Sequence, residues 1–273
     1  MSKIGLGIVT CDRVSYLHKC INSIDISLFD ELVIVNDGTE TVDYKDFTII
    51  ENEENLGVGK SKNKILRHLY DSGCDYIFVL EDDMIVLDNL VFQQYIDACL
   101  ASGIHHFNYG PGSPFNRKQK IKNFDLHNRH ELEQHSEPKP RLVIDYGNDI
   151  KVSLFQHTVA MFSFFTRECI DEVGYFDERF YNAWEHVEHT YRIIKAGLHP
   201  PFWYFADIYN SHLYITEAPQ AIYNSSIANN TEQWRQNIMD GREIYLRKHG
   251  YYPNQIPDTS EEEVIEWLKK IKN

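Results

Sequence analysis

A chain of 273 residues can form one large domain with a substantial core, or two small ones. A hydrophobic share of 42% with 13% aromatics argues against a disordered chain. A formal net charge of -14 argues against a general polyanion-binding surface, because long-range repulsion slows encounter with nucleic acid or an anionic membrane.

The chain opens directly on a strand pattern, Ile4 to Thr10, with no basic segment followed by an apolar one, and no apolar run approaches the roughly 18 residues of a membrane span. Five cysteines, Cys11, Cys20, Cys74, Cys99 and Cys169, form no C-x-x-C pair and leave one over, which suits reduced thiols. A soluble, cytoplasmic protein is expected. After the first strand, Leu17, Cys20, Ile21 and Ile24 follow helical spacing, and Leu32 to Val35 reads as a second buried strand. Phe47 to Ile50 is a third. Helix returns from about Lys60 to Tyr70, and Tyr76 to Leu80 is an apolar run of the kind a central parallel strand carries. Phe92, Tyr95, Ile96 and Cys99 mark another helix.

From Gly110 to about Ile150 periodicity is lost among Pro111, Pro114, Pro138 and Pro140 and a basic cluster, Arg117, Lys118, Lys120 and Lys122. Such an excursion predicts a binding loop or lid, or a disordered segment. Strand-like Val159 to Phe165 and Phe176 to Phe180 follow, then a helix from about Trp184 to Ala196 stopped by Gly197, then strand-like Phe202 to Phe205 leading to His212. Ser260 with Glu263 forms a capping box ahead of Val264, Trp267, Leu268 and Ile271, which predicts an amphipathic C-terminal helix. The order of elements is that of an α/β protein with a mostly parallel central sheet flanked by helices.

In an open parallel sheet, ligands collect outside the carboxyl ends of the strands. Polar residues fall there after each of the first four: Thr10 to Arg13, Asn36 to Gly38, Asn55 to Asn63, and the triplet Glu81, Asp82, Asp83. Three adjacent carboxylates at the end of a buried strand repel one another with little screening, and a divalent cation removes that penalty. Hard oxygen ligands select Mg²⁺ or Mn²⁺. A bare Glu-Asp-Asp is as readily a solvated turn capping the next helix, but its place after five apolar residues favours metal. Asn36-Asp37-Gly38 is also a strong turn signal. Asn55 to Lys60 is either an anion-binding loop at a helix N-terminus or a plain helix entry. Trp184-Glu185-His186-Val187-Glu188-His189 places several polar groups on one helix, where Glu185 or His186 is a candidate general base. His212 is a metal ligand or a satisfied structural histidine.

Taken in order, I-V-T-C-D-R, V-I-V-N-D-G-T, N-L-G-V-G-K-S-K-N, F-V-L-E-D-D, G-Y-F-D-E-R-F and A-W-E-H-V-E-H-T-Y-R-I-I-K-A-G resemble the GT-A fold glycosyltransferases, family 2 in particular, over almost the whole chain. The resemblance implies a GT-A (Rossmann-like) domain over residues 1–252. Residues 1–110 would be its nucleotide-binding half, 111–252 its acceptor-binding half, and 253–273 a helical tail. It implies metal-dependent transfer of a hexosyl or N-acetylhexosaminyl group from a nucleotide sugar, with UDP as the nucleotide, to an acceptor hydroxyl of a glycan, lipid-linked sugar, protein or modified nucleic acid. Thr10, Asp12, Arg13 and Asp37 would then surround base and ribose, with Lys60 and Asn63 near the diphosphate or base. Asp82 would contact ribose or a metal-bound water, Glu81 would support it, and Asp83 and His212 would bind Mn²⁺ or Mg²⁺. Where the family usually carries Glu-Asp this chain has Glu185-His186. Glu185 takes the base role, or His186 does so as a neutral imidazole, or the enzyme retains configuration and needs no such base. Inversion with Glu185 ahead of His186 is the preferred expectation. Trp184, Trp203 and Tyr204 are candidates for stacking on sugar faces or for core packing. A sugar-phosphate nucleotidyltransferase and a non-catalytic sugar-binding module are the competing readings. The first would carry a glycine-rich basic loop where Thr10 to Arg13 stand.

Overall fold

The computed structural model describes residues 2–118, 137–219, 221 and 231–271. Its centre is β1 (Ile4–Thr10), whose alternating side chains send Leu6 and Ile8 to one face and Val9, between two glycines and the strand end, to the other. Those glycines let a helix lie close. A Cβ on Gly7 would meet Ile65 Cγ2 at 2.0 Å, and one on Gly5 would meet Leu69 Cδ2 at 2.8 Å.

β1 pairs in parallel with β2 (Glu31–Asn36), which pairs with β3 (Thr48–Glu51), and on its other side with β4 (Tyr76–Glu81). The edge beyond β4 is β9 (Phe162–Thr166), antiparallel to it, and then β6 (His106–Asn108). The order β3-β2-β1-β4-β9-β6 is thus mostly parallel with one reversed strand. The chain leaves β1 towards β2 and returns to β4, so the carboxyl ends of β1 and β4 flank the switch point where such sheets open a crevice. One face is covered by α1 (Val14–Asn22) and α3 (Leu90–Ser102), the other by α2 (Val58–Asp71), α4 (Arg167–Val173) and α5 (Glu185–Lys195).

Two smaller sheets were not apparent from periodicity. β5 (Met84–Val86) pairs with β11 (Ile215–Glu217) just after the acidic triplet. β7 (Leu142–Gly147) and β8 (Ile150–Phe155) form a hairpin joined on the other side by β10 (Phe205–Ile208). The expected 110–150 excursion therefore ends in regular structure, its turn made by Gly147, Asn148 and Asp149, all at positive φ. Lys120 and Lys122 lie outside the described residues. The strand expected at Phe176–Phe180 does not form; both rings are buried, but the segment is held by side-chain hydrogen bonds rather than a ladder. The strand expected at Phe202–Phe205 starts only at Phe205, because Trp203 sits at φ 74.

α6 (Thr231–His249) was missed because its buried seam is narrow: Asn237, Gly241 and Tyr245. α7 (Glu261–Ile271) begins as expected, with Glu263 N donating to Ser260 Oγ at 3.2 Å and Ser260 N to Glu263 Oε2 at 3.0 Å. It buries Val264 and Leu268 against the body. Among the described residues no helix is long and apolar enough to cross a membrane, and all five cysteines are free.

Candidate active site

The acidic triplet ends β4 and turns into β5, beside the end of β1. Asp82 is fully buried and accepts from Thr10 Oγ1 at 2.7 Å. Burial pushes its carboxyl up to about 7, against the opposing pull of Arg13 and the Thr10 hydroxyl. Arg13 spans the two aspartates: Nη1 donates to Asp83 Oδ2 at 3.0 Å and Nη2 to Asp82 Oδ1. The second oxygen of Asp83, Oδ1, is buried and accepts no hydrogen bond. A buried carboxylate oxygen without a donor is costly, and it is the kind of hard ligand a divalent cation takes.

Glu81 is matched differently. Lys62 Nζ donates to Glu81 Oε1 at 2.7 Å and to the Ala160 carbonyl at 2.6 Å, with its side chain 1% exposed. Lys62 was not among the expected site residues, although its signal is in the sequence. Positions 62, 65, 66 and 69 form the i, i+3, i+4, i+7 stripe that α2 turns towards the sheet, so a lysine there must find a buried anion. The expected Lys60 and Asn63 share a different face with Arg67, and all three act on Glu178. The Asn63 amide is consumed by the 176–178 segment. It donates to Phe176 O at 2.9 Å and Glu178 Oε1 at 3.1 Å, and accepts from Phe176 N at 2.8 Å.

Asp37 emerges beside Thr10, to whose carbonyl its amide donates at 2.8 Å. Its carboxylate accepts from Asn52 Nδ2 at 2.6 Å, Leu56 N at 2.7 Å and Gly57 N at 3.0 Å. The loop with two open readings, anion-binding or plain helix entry, thus has an anion within the chain, and the next amide, Val58 N, donates to Asn182 Oδ1 at 2.9 Å. Gly57 is required there: its φ is 85, and a Cβ would sit 2.5 Å from the Tyr181 carbonyl. Asp12, at φ 52, accepts from Thr39 N at 2.6 Å and Glu40 N at 3.0 Å, and these N–H bonds hold its carboxyl below the usual range. Thr10, Arg13, Asp37 and Asp82 therefore lie together at the carboxyl ends of β1, β2 and β4, while Asp12 ties the turn after β1 to the turn after β2.

Glu185 opens α5 and packs close to Gly59 of α2, where a Cβ would lie 3.5 Å from Glu185 Cβ. Only 4% of it is exposed. Burial raises its carboxyl, but His186, Lys62 and the helix N-terminal N–H outweigh that and hold it below the usual range. His186 Nδ1 lies 3.1 Å from Glu185 Oε1, and Oε2 is buried without a partner. Lys62 thus acts electrostatically on both the triplet and Glu185. The remainder of that polar stretch is structural. Glu188 binds Arg192, Lys248 and His249, and His189 Nε2 pairs with the Gly174 carbonyl at 2.8 Å.

His212 falls elsewhere. It lines a cavity of about 400 Å³ with Lys118, Glu137, Ser153 and Tyr209. Burial lowers its imidazole, with Arg117 adding to the effect and Glu137 opposing it. Among the described residues no group of three or more His, Cys, Asp or Glu is gathered closely enough to hold a metal. A Mg²⁺ or Mn²⁺ site of one or two carboxylates completed by phosphates and water still fits the Asp82–Asp83 pair. Of the sugar-stacking candidates, Tyr204 is buried in the core, and Trp184 and Trp203 are partly buried against it. Trp184 Nε1 donates to Ile238 O, Trp203 Nε1 to Ile256 O and Tyr204 OH to Thr259 O, all within 3.1 Å, so they dock the C-terminal segments.

A mostly parallel sheet with an acidic strand end at its switch point, and a buried carboxylate at a nearby helix N-terminus, is the architecture of an α/β protein that binds its ligand at the carboxyl ends of the strands. The glycosyl transferase family 2 profile matches residues 6–165, from β1 to β9, and the chain belongs to that family. It is 26% identical to an uncharacterised glycosyltransferase of Acanthamoeba polyphaga mimivirus, over 92% of this chain and 94% of the relative. Solved structures of similar fold include Staphylococcus aureus TarS, with a TM-score of 0.53 at 14% identity, covering 98% of this chain and 42% of TarS. The chain thus spans less than half of that protein. A mannosyltransferase from Pyrobaculum calidifontis, in complex with GDP-Man and Mn²⁺, has a TM-score of 0.51 at 10% identity, covering 98% of this chain and 68% of the other. A shorter TarS chain in complex with UDP has a TM-score of 0.50 at 12% identity, covering 99% and 71%.

Proposed function

We propose that this glycosyltransferase moves a sugar from a nucleotide sugar, a UDP-sugar first among them, to an acceptor hydroxyl with inversion at the anomeric carbon. The observation that carries this reading is the orphaned Asp83 Oδ1 at the strand end, a buried acceptor oxygen suited to Mn²⁺ or Mg²⁺. When bound, such a cation supplies positive charge against the departing nucleoside diphosphate. Thr10, Asp37 and Asp82 line the base and ribose side, and Asp12 holds that rim in shape. Glu185, kept ionised with Oε2 free, takes the proton of the acceptor hydroxyl as its oxygen attacks the anomeric carbon. The new C–O bond forms as the bond from that carbon to the diphosphate oxygen breaks. His186 orients the Glu185 carboxylate through Nδ1 and is a positioning residue. His212 is assigned to the acceptor side, with the cavity that it lines.

Release of nucleoside diphosphate from a panel of nucleotide sugars, with Mn²⁺ and with chelator, tests the reading. Metal-dependent release that Asp83→Ala abolishes is the expected result. Release that survives Asp83→Ala removes the metal assignment, and no turnover of any donor removes the catalytic one.

A further inference from the structure

Three carboxylates and two cations meet at the end of β4, and the two cations are held unequally. Lys62 projects from the middle of a helix and is closed in between Glu81 and the Ala160 carbonyl. Arg13 projects from the turn ahead of α1, with backbone φ -137 and ψ 43. Its side chain is 15% exposed, while those of Asp82 and Asp83 are 0% and 7% exposed. It is the more exposed of the two cations, Lys62 being 1% exposed, and it uses separate guanidinium nitrogens for the two aspartates.

With its three carboxylates ionised, the cluster carries one net negative charge. A divalent cation entering beside Arg13 would reverse that sign in a poorly screened place. A diphosphate arriving with the cation restores the balance and offers the guanidinium phosphate oxygens, which its planar fork matches in a bidentate manner.

We infer that Arg13 is an exchangeable counter-ion: it occupies the Asp82–Asp83 pair in the free enzyme, and it makes cation binding at Asp83 conditional on the donor's diphosphate. The inference rests on Asp83 being the metal ligand. Arg13 is here a positioning residue, moving from carboxylates to phosphate, and the pair is never left without positive charge.

Mn²⁺ binding followed by electron paramagnetic resonance at pH 8, with MnCl₂ alone and with UDP or GDP added, tests this without turnover. The wild-type protein should bind Mn²⁺ at least about tenfold more tightly with one of the nucleotides than without. Arg13→Gln should bind Mn²⁺ alone about tenfold more tightly than wild type, and its nucleotide dependence should collapse. Arg13→Lys should keep most of that dependence. Equal wild-type affinity with and without either nucleotide overturns the inference, and needs no variant to fold. So does an Arg13→Gln protein that binds Mn²⁺ alone no better than wild type. Asp83→Asn separates the two levels. Mn²⁺ binding that persists in it places the metal elsewhere and sinks the site reading too, whereas binding lost there with no effect of Arg13 sinks only the counter-ion role.

Discussion

At the scale of single residues, the site is a problem of buried charge with two different solutions. Glu81 is neutralised by Lys62 from the α2 interior, and Asp82 and Asp83 by Arg13 from a turn. Removing a buried cation strands its partner, so Lys62→Met should lower stability by about 2 kcal/mol, less than for a fully buried pair because Glu81 is 26% exposed. Urea denaturation measures this, and an unchanged midpoint would show that Glu81 relaxes to solvent. Glu185 has the opposite character. It is held ionised by neighbours but has one oxygen free. Glu185→Gln should reduce kcat by about 10²- to 10⁴-fold and leave donor affinity intact. A variant that instead loses donor binding at full turnover would move Glu185 from base to binding residue. Glu185, Asp82, Asp83 and Arg13 are legible as candidates in the sequence because strand ends and helix starts are visible in one dimension. Lys62 does not stand out there, because only the phase of the 62, 65, 66, 69 stripe tells that this lysine turns inward.

At the scale of elements, α5 is anchored by histidines that the core keeps neutral. His106, His189 and His199 are buried with rings 5.9 to 6.4 Å apart. Burial drives all three down, His189 to about 3 and His199 to about 4. Unfolded, each takes a proton near pH 6.5; folded, each resists it. Their stabilisation is therefore present above pH 6.5 and lost as pH falls towards 4, by about 1.4 kcal/mol per pH unit for each such histidine. Thermal melts between pH 7 and pH 5 should show this slope, and His199→Gln should flatten it. The depressed carboxyl of Glu188 acts below its ordinary 4.5, so it does not mimic the effect in that window. The buried carboxyls of Asp82 and Asp207, both raised to about 7, take up protons in the folded state over the same window and oppose this loss. A His199→Gln slope equal to that of the wild type is therefore the outcome that would contradict the buried-neutral state.

At the scale of the whole molecule, the C-terminal segment closes the second sheet by two kinds of contact. Arg141 pairs with Asp258 at 2.8 and 2.9 Å, but Asp258 is 58% exposed, while Val264 and Leu268 are buried in the main core. Arg141→Ala should cost under about 1 kcal/mol, whereas Val264→Asp should cost about 3 kcal/mol or more by placing an unpaired charge against apolar side chains. Equal melting shifts for the two would show that α7 is held by the ion pair. The sequence by itself determined the alternation of strands and helices up to α3, the acidic end of β4, the capping of α7 and the family to which the chain belongs. These are local patterns, set by periodicity, caps and contiguous motifs. Tertiary structure alone decided which groups are left over after pairing. It gave Asp37 to the α2 entry, Asn63 to the 176–178 segment, and the three aromatic candidates to the C-terminal docking. It moved His212 to the Glu137 cavity and left Asp83 Oδ1 and Glu185 Oε2 open. Hydrogen-bond partners separated by tens to more than a hundred residues make that allocation, and no linear pattern records it.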